Sequence, residues 1–183
     1  PVRVAEIHHP LDPERTADGH AQPPRSRLTG RRENRTQINS MADLDSVSDI
    51  LAEIAATCGE QDVPTGTALA EYGPNQWEVN LRHVADARRA CDQAIRFKRI
   101  VKGVALKNGL EATFMAKPYG DMAGSGMHIH ISVQDEAGKN VFASADTLGN
   151  ELMQQAVAGM LATMADGVAI FAPNANSYRR LRP

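Results

Sequence analysis

Between Met127 and Val133 apolar and polar residues alternate without a break, Met127, Ile129, Ile131 and Val133 on one side and His128, His130 and Ser132 on the other. Side chains of an extended chain point to opposite faces in turn, so this pattern specifies a strand with one face to bury and one polar face, its polar groups about 7 Å apart. Other segments read as companions for it. Thr67 to Glu71 forms a strand, Gly73-Pro74 a turn, and Gln76 to Leu81 a second alternating strand whose Trp77, Val79 and Leu81 face a core. Ala112 to Met115 reads as a further short strand, and Asp135 to Asn140 as a polar turn across which Val141-Phe142 pairs back.

Helical spacing separates these strands. Leu44, Val47, Ile50, Leu51, Ile54 and Ala55 mark an amphipathic helix to about Cys58, with Asp43 or Asp45 as its cap and Gly59 at its end. A long helix from Ala85 to Lys107 carries Ala87, Cys91, Ala94, Ile95, Val101, Val104 and Ala105 as its apolar face and stops at Asn108-Gly109. A second, from Leu148 to Met164, presents Leu152, Val157, Met160, Leu161 and Met164. No internal repeat is visible. Strand pairs with short links, set between long helices, predict an α+β fold: an antiparallel sheet with helices on its face. Residues 1–40 differ, with prolines among Arg25, Arg27, Arg31, Arg32 and Arg35 and little periodicity, and read as an irregular, loop-rich segment with a solvated basic surface. Residues 41–183 carry the fold, and the end, Ala172 to Arg180, reads as irregular and basic.

Composition removes several function classes. With 183 residues the chain has enough length for one domain with a real core, and a formal net charge of −2 draws it to neither nucleic acid nor anionic membrane. No apolar run approaches the roughly 20 residues of a membrane span. Cys58 and Cys91 sit in helical patterns without CxxC spacing, which predicts buried, reduced thiols and a cytoplasmic setting. The start, Pro1-Val2-Arg3, lacks the apolar stretch of a signal peptide and reads as a truncation.

Three constellations can carry chemistry. His128 and His130 side by side on one polar face can bind a metal, hold phosphate oxygens or move protons, or can be incidental on a solvent-facing strand. Gly124-Ser125-Gly126 just before them favours a ligand, because glycines let one approach the backbone closely. If Gly73-Pro74 turns the chain, Glu71 returns alongside Glu78, and two close carboxylates repel unless a cation such as Mg²⁺ or Mn²⁺ lies between them; the alternative is two unrelated surface glutamates. Asn176-Ser177-Tyr178-Arg179-Arg180 offers guanidinium forks for carboxylate or phosphate, or is a basic tail; Lys117 is open in the same way. Together they suit metal-assisted phosphoryl chemistry on an anionic substrate. Neither a thiolate zinc site nor a glycine-rich P-loop is present.

These same residues resemble the glutamine synthetase family. Glu71 to Glu78, as E-x-G-P-x-Q-W-E, is similar to its metal-carboxylate motif. Lys117-Pro118 followed by Gly124-Ser125-Gly126-Met127-His128-Ile129-His130-Ile131-Ser132 resembles its ATP-region signature, and Asn176-Ser177-Tyr178-Arg179-Arg180-Leu181 its N-S-Y-[KR]-R-L segment. The resemblance covers about Leu44 to Pro183. It implies an incomplete catalytic domain of that type, an antiparallel curved sheet flanked by helices. It further implies an ATP-dependent ligase joining glutamate to ammonia or a small amine through a γ-glutamyl phosphate, within a ring-shaped homo-oligomer. On that basis Glu71 and Glu78 ligate one Mg²⁺ or Mn²⁺ and His128 a second. His130 contacts the transferring phosphate or substrate, Ser132 and Lys117 lie at the nucleotide, Gly124 meets the amino-acid group of glutamate, and Arg180 grips its carboxylate.

The chain departs from the family pattern in two places. Ala5-Glu6-Ile7-His8-His9-Pro10 stands where an E-x-E pair is usual, and Ala123 where asparagine is frequent. Ala123 and the proline of the first motif tilt the reading toward γ-glutamyl amine ligases acting on putrescine-like amines rather than glutamine synthetase proper. The altered E-x-E region supports a competing reading, a non-catalytic metal- or nucleotide-binding relic. Later family arginines and the last metal ligand are not in the sequence, so the isolated chain is expected to be inactive.

Overall fold

The computed structural model describes residues 29–31, 38–73, 75–120 and 122–181, with residues 3–4 described by backbone alone. Most of the expected irregular segment 1–40, Glu6 with the rest of the Ala5 to Pro10 region, and Pro74 lie outside the described residues. The chain divides into two units, residues 1–129 and 130–183.

In the first unit an α+β layer forms as expected. Strands β1 (Arg3–Val4), β2 (Thr65–Ala70) and β3 (Trp77–Leu81) make an antiparallel sheet in the order β1-β3-β2. β3 is central, pairing Arg3 with Asn80 and Val4 with Val79 on one side, and Leu69 with Glu78 and Ala70 with Trp77 on the other. The register slips by one residue between Thr65 and Ala68, a bulge that bends the edge strand. Trp77, Val79 and Leu81 project from one face of β3 and are buried with Ala70 and Val63.

Two helices cover that face. The single helix expected over residues 44–58 is in fact two, α1 (Met41–Ser46) and α2 (Ser48–Glu60), broken at Val47. Its cap is Ser40, whose Oγ accepts the Asp43 N–H at 3.2 Å, rather than either aspartate. Gly59 lies inside the last turn, and the reversal is made at Asp62, in the left-handed region at φ 57°. Val47, Ile50, Ile54 and Cys58 form the stripe that enters the core. Burial of Cys58 pushes its thiol up to about 11, since desolvation penalises the thiolate.

Helix α3 (Ala87–Lys107) starts at Asp86, whose Oδ1 accepts from the N–H groups of Arg88 and Arg89 at 2.9 and 3.1 Å. It ends where expected, with Asn108 as cap and Gly109 at φ 72°, a conformation that glycine takes without the strain of a Cβ. The buried face matches the expected one at Val101, Val104 and Ala105 and differs from it earlier in the helix. Gln93, Phe97, Ile100, Val101, Val104 and Ala105 face the core, whereas Cys91 is exposed and Ile95 is 68% exposed. Ile95 sits two positions from both Gln93 and Phe97, about 200° around the helix, so both stripes cannot be buried at once. The buried amide of Gln93 is satisfied by the Asp62 carbonyl at 3.2 Å, which ties α3 to the turn before β2. Residues 112–115 form no strand, since none of the described strands pairs with them. Phe114 is held instead by the edge of Phe97, ring centroids 6.4 Å apart at 74°.

The alternating segment Met127 to Val133 is not a strand among the described residues. Within the first unit none of β1, β2 or β3 pairs with residues 127–129, of which Ile129 alone forms an isolated bridge. Its apolar side chains are open, Met127 and Ile129 at 54% and Ile131 at 72%.

Within the second unit the polar turn forms as read. Gln134 bridges Asn140, Asp135 Oδ1 accepts from the N–H groups of Ala137 and Lys139, and Val141 N–H reaches Val133 O at 2.9 Å. Helix α4 (Glu151–Phe171) begins at Asn150, whose side chain accepts from Met153 N–H, and runs seven residues past the expected end at Met164. None of its side chains is buried, and Met160 and Leu161 are 65% and 62% exposed. The basic end is helical rather than irregular. Asn174 accepts from Ser177 N–H at 3.1 Å and starts α5 (Ala175–Arg180), placing Arg179 and Arg180 in a last turn whose dipole favours cations.

Candidate functional site

Because Ala70 faces Trp77 and Leu69 faces Glu78, the next residue on the β2 side, Glu71, falls opposite Gln76, and its N–H donates to Gln76 O at 2.8 Å. Residues directly opposite in an antiparallel pair share a face, so Glu71, Gln76 and Glu78 lie together on the side away from the Trp77 core. The two glutamates are diagonal neighbours, with backbones about 7–8 Å apart at that spacing. Glu78 is buried at 7% exposure and Glu71 half-buried, its Oε2 accepting from Tyr72 N–H at 3.3 Å. The turn closes through Gln76 N–H to Gly73 O at 3.1 Å, with Asn75 in the left-handed region at φ 60°. Asparagine tolerates that conformation better than other non-glycine residues.

The glycine loop abuts this turn. Ser125 N–H donates to Ala116 O at 2.8 Å, and the Lys117 ammonium donates to the Met122 carbonyl, which draws residues 116–117 to residues 122–125. Gln76, buried at 6% exposure, reaches across: its Oε1 accepts from Gly73 N–H at 2.7 Å and its Nε2 donates to Gly124 O at 3.3 Å. Ser125 Oγ is buried without a hydrogen-bond partner among the described residues. Sequence patterning put Gln76 on the polar face but gave it no role. Its partner Gly124 is 48 residues away, and no local spacing announces such a contact.

Two oxygen donors on one sheet face, one of them buried, match the chemistry a hard divalent cation takes. No three His, Cys, Asp or Glu side chains among the described residues lie close enough together to hold a metal ion. His128 is exposed in the first unit and does not complete such a group with the two glutamates. His130 and Ser132 are exposed in the second unit, as is Arg180 in the last turn of α5. No helix of the described residues is long and apolar enough to cross a membrane.

Comparison with known proteins identifies the family. A sequence model of the family described as glutamine synthetase, catalytic domain, matches residues 10–183. The chain is 42% identical over 184 aligned positions to the gamma-glutamylputrescine synthetase PuuA of Escherichia coli K12, covering all of this chain and 39% of that one. It is 39% identical over 143 positions to the glutamate–isopropylamine ligase of a Pseudomonas species, covering 77% of this chain and 31% of the relative. The fold superposes on the solved structure of ligand-free GmaS with a TM-score of 0.70 at 34% identity, over 80% of this chain and 35% of that one. The chain thus spans between about a third and two fifths of these relatives. With the residues of the hairpin and the glycine loop inside the matched region, the chain belongs to the glutamine synthetase catalytic-domain family.

Proposed function

We propose that the whole protein is an ATP-dependent ligase that joins glutamate to a small amine through a γ-glutamyl phosphate, with a putrescine-like amine favoured over ammonia. The observation that carries the reading is the hairpin register, which brings the carboxylates of Glu71 and Glu78 to one face beside the Gly124 loop. Residues 41–183 are then the central part of the catalytic domain. The preference for an amine is supported by the relatives that act, by name, on putrescine and isopropylamine, and by Ala123 at the loop.

In this reading Glu71 and Glu78 hold one divalent cation and His128 takes part in holding a second. Bound there, Mg²⁺ or Mn²⁺ supplies positive charge against the oxygens of the phosphates. The residues of this chain do the positioning. Arg180 holds the glutamate carboxylate through its fork, Gly124 meets the amino-acid group with its backbone, and Lys117 and Ser132 lie at the nucleotide. His130 contacts the phosphoryl group in transfer. A γ-carboxylate oxygen forms a bond to the γ-phosphorus while the bond to ADP breaks. The amine nitrogen then bonds to the acyl carbon, phosphate departs with the activated oxygen, and the nitrogen sheds its proton.

A cytoplasmic setting fits the exposed, unpaired thiol of Cys91, and assembly into a ring-shaped homo-oligomer fits the uncovered apolar residues of α4. The test is turnover by the whole protein with ATP, Mg²⁺ and glutamate labelled with oxygen-18 in its γ-carboxylate. Phosphate should appear only with both glutamate and amine, should carry one labelled oxygen, and should form with higher kcat/KM for putrescine than for ammonia. Unlabelled phosphate would exclude the acyl phosphate route. Nucleotide and Mn²⁺ binding without any turnover would favour a non-catalytic relic.

A further inference from the structure

Gln76 is the feature that the metal, nucleotide and substrate assignments leave unexplained. It is nearly fully buried, yet its carboxamide spends both ends on backbone groups of two separate segments. Oε1 takes the Gly73 N–H at 2.7 Å inside the turn that joins Glu71 to Glu78, and Nε2 gives a proton to Gly124 O at 3.3 Å in the glycine loop. The backbone of the same residue closes the turn, accepting from Glu71 N–H and donating to Gly73 O. The space is tight: a Cβ placed on Gly73 would stand 2.8 Å from Gln76 Oε1 and 3.6 Å from Ala123 Cβ. Only a side chain with an acceptor and a donor at this reach can serve both partners. Glutamate lacks the donor, and asparagine is one methylene short.

We propose that Gln76 is a positioning residue whose carboxamide fixes the Gly124 loop against the carboxylate hairpin, so that it sets the distance between the amino-acid end of glutamate and the metal-binding end. The proposal rests on the ligase reading above for the identity of the substrate, but the tether itself does not. A carbonyl oxygen has two acceptor sites, so the bond from Gln76 orients Gly124 O and leaves one site for a substrate ammonium.

The experiment is Gln76→Glu in the whole protein, with Gly73→Ala as the second variant acting on the same carboxamide. Gln76→Glu keeps size and the acceptor for Gly73 N–H, and turns a carboxylate oxygen toward Gly124 O. Amide hydrogen exchange should quicken across residues 119–126 in both variants by more than it does elsewhere in the chain. KM for glutamate should rise about tenfold, the scale of one lost hydrogen bond, with KM for ATP unchanged and kcat affected less. Exchange that stays at the wild-type rate in both variants overturns the tether. So does faster exchange with an unchanged glutamate KM, or a rise in both KM values that follows the melting temperature. Wild-type protein without glutamate-dependent turnover would sink the ligase reading instead, and the exchange rates would still decide whether Gln76 holds the loop.

Discussion

Phe97→Ala should cost the fold about 3–5 kcal/mol, the range for removing a fully buried aromatic side chain when the site cannot collapse. Phe97 is 0% exposed and sits among Ile54, Trp77, Ile100 and Val101, in the layer where α2, α3 and the sheet meet. Part of the loss belongs to a specific pair. The ring meets Phe114 edge to face at 6.4 Å, a geometry worth about 0.5–1.5 kcal/mol beyond burial. Phe114 is only partly buried, so the lower half of that range applies. Equilibrium urea unfolding, followed by the fluorescence of Trp77, the sole tryptophan, measures both terms. Phe97→Leu and Phe114→Leu, singly and together, form a cycle that should return a coupling of roughly 0.5–1 kcal/mol. The pair also anchors the stretch that leads to Lys117, so the same variants should hasten amide exchange in residues 112–117. A loss below about 1 kcal/mol for Phe97→Ala, or a strictly additive cycle, would refute the packing argument.

Asp86→Ala should lower stability by about 1 kcal/mol in the same assay, since Asp86 accepts two amide protons that the first turn of α3 cannot otherwise satisfy. Iodoacetamide at about pH 8 should modify Cys91 and spare Cys58. Cys58 is inaccessible, and with its pKa near 11 it is ionised in only about one molecule in a thousand. Peptide mass spectrometry distinguishes the two. The raised pKa also gives a sign for stability against pH. The folded state holds the Cys58 proton more tightly than the unfolded chain, so that contribution is whole below about pH 9 and fades as pH climbs toward about 11. Unfolding midpoints of wild type and Cys58→Ala should therefore converge across that window, and a gap that stays constant would contradict the assignment.

The hairpin was legible because its signals are local. Alternation from Gln76 to Leu81 and a turn at Gly73 are enough to set β2 against β3 and to bring Glu71 and Glu78 to one face. The end of α3 was legible for the same reason, Asn108-Gly109 being a helix stop wherever it occurs. The buried face of α3 was legible at Val101, Val104 and Ala105 but not in its first half, since Cys91 and Ile95 recur at helical spacing as regularly as Phe97 and Ile100, and only the neighbours in space choose between stripes. Met127 to Val133 shows the opposite limit. Its period states which side seeks cover, but a strand exists only through a ladder of hydrogen bonds to another strand, and within the segment Ile129 alone forms a bridge. The Asn174 cap that makes Ala175 to Arg180 helical lies just before a run read for its charge and its motif, neither of which states a backbone conformation. Gln76 escaped because its meaning lies in Gly124, far along the chain.

The central claim is that carboxylates of the hairpin and an imidazole from the segment after the glycine loop hold divalent cations for phosphoryl transfer. Calorimetric titration of the whole protein with Mn²⁺ tests it directly, in the wild type and in Glu71→Gln, Glu78→Gln and His128→Ala. The account predicts two separable uptake events, with either glutamate variant weakening one by about tenfold or more and His128→Ala weakening the other. Mn²⁺ uptake identical to wild type in all three variants would contradict it.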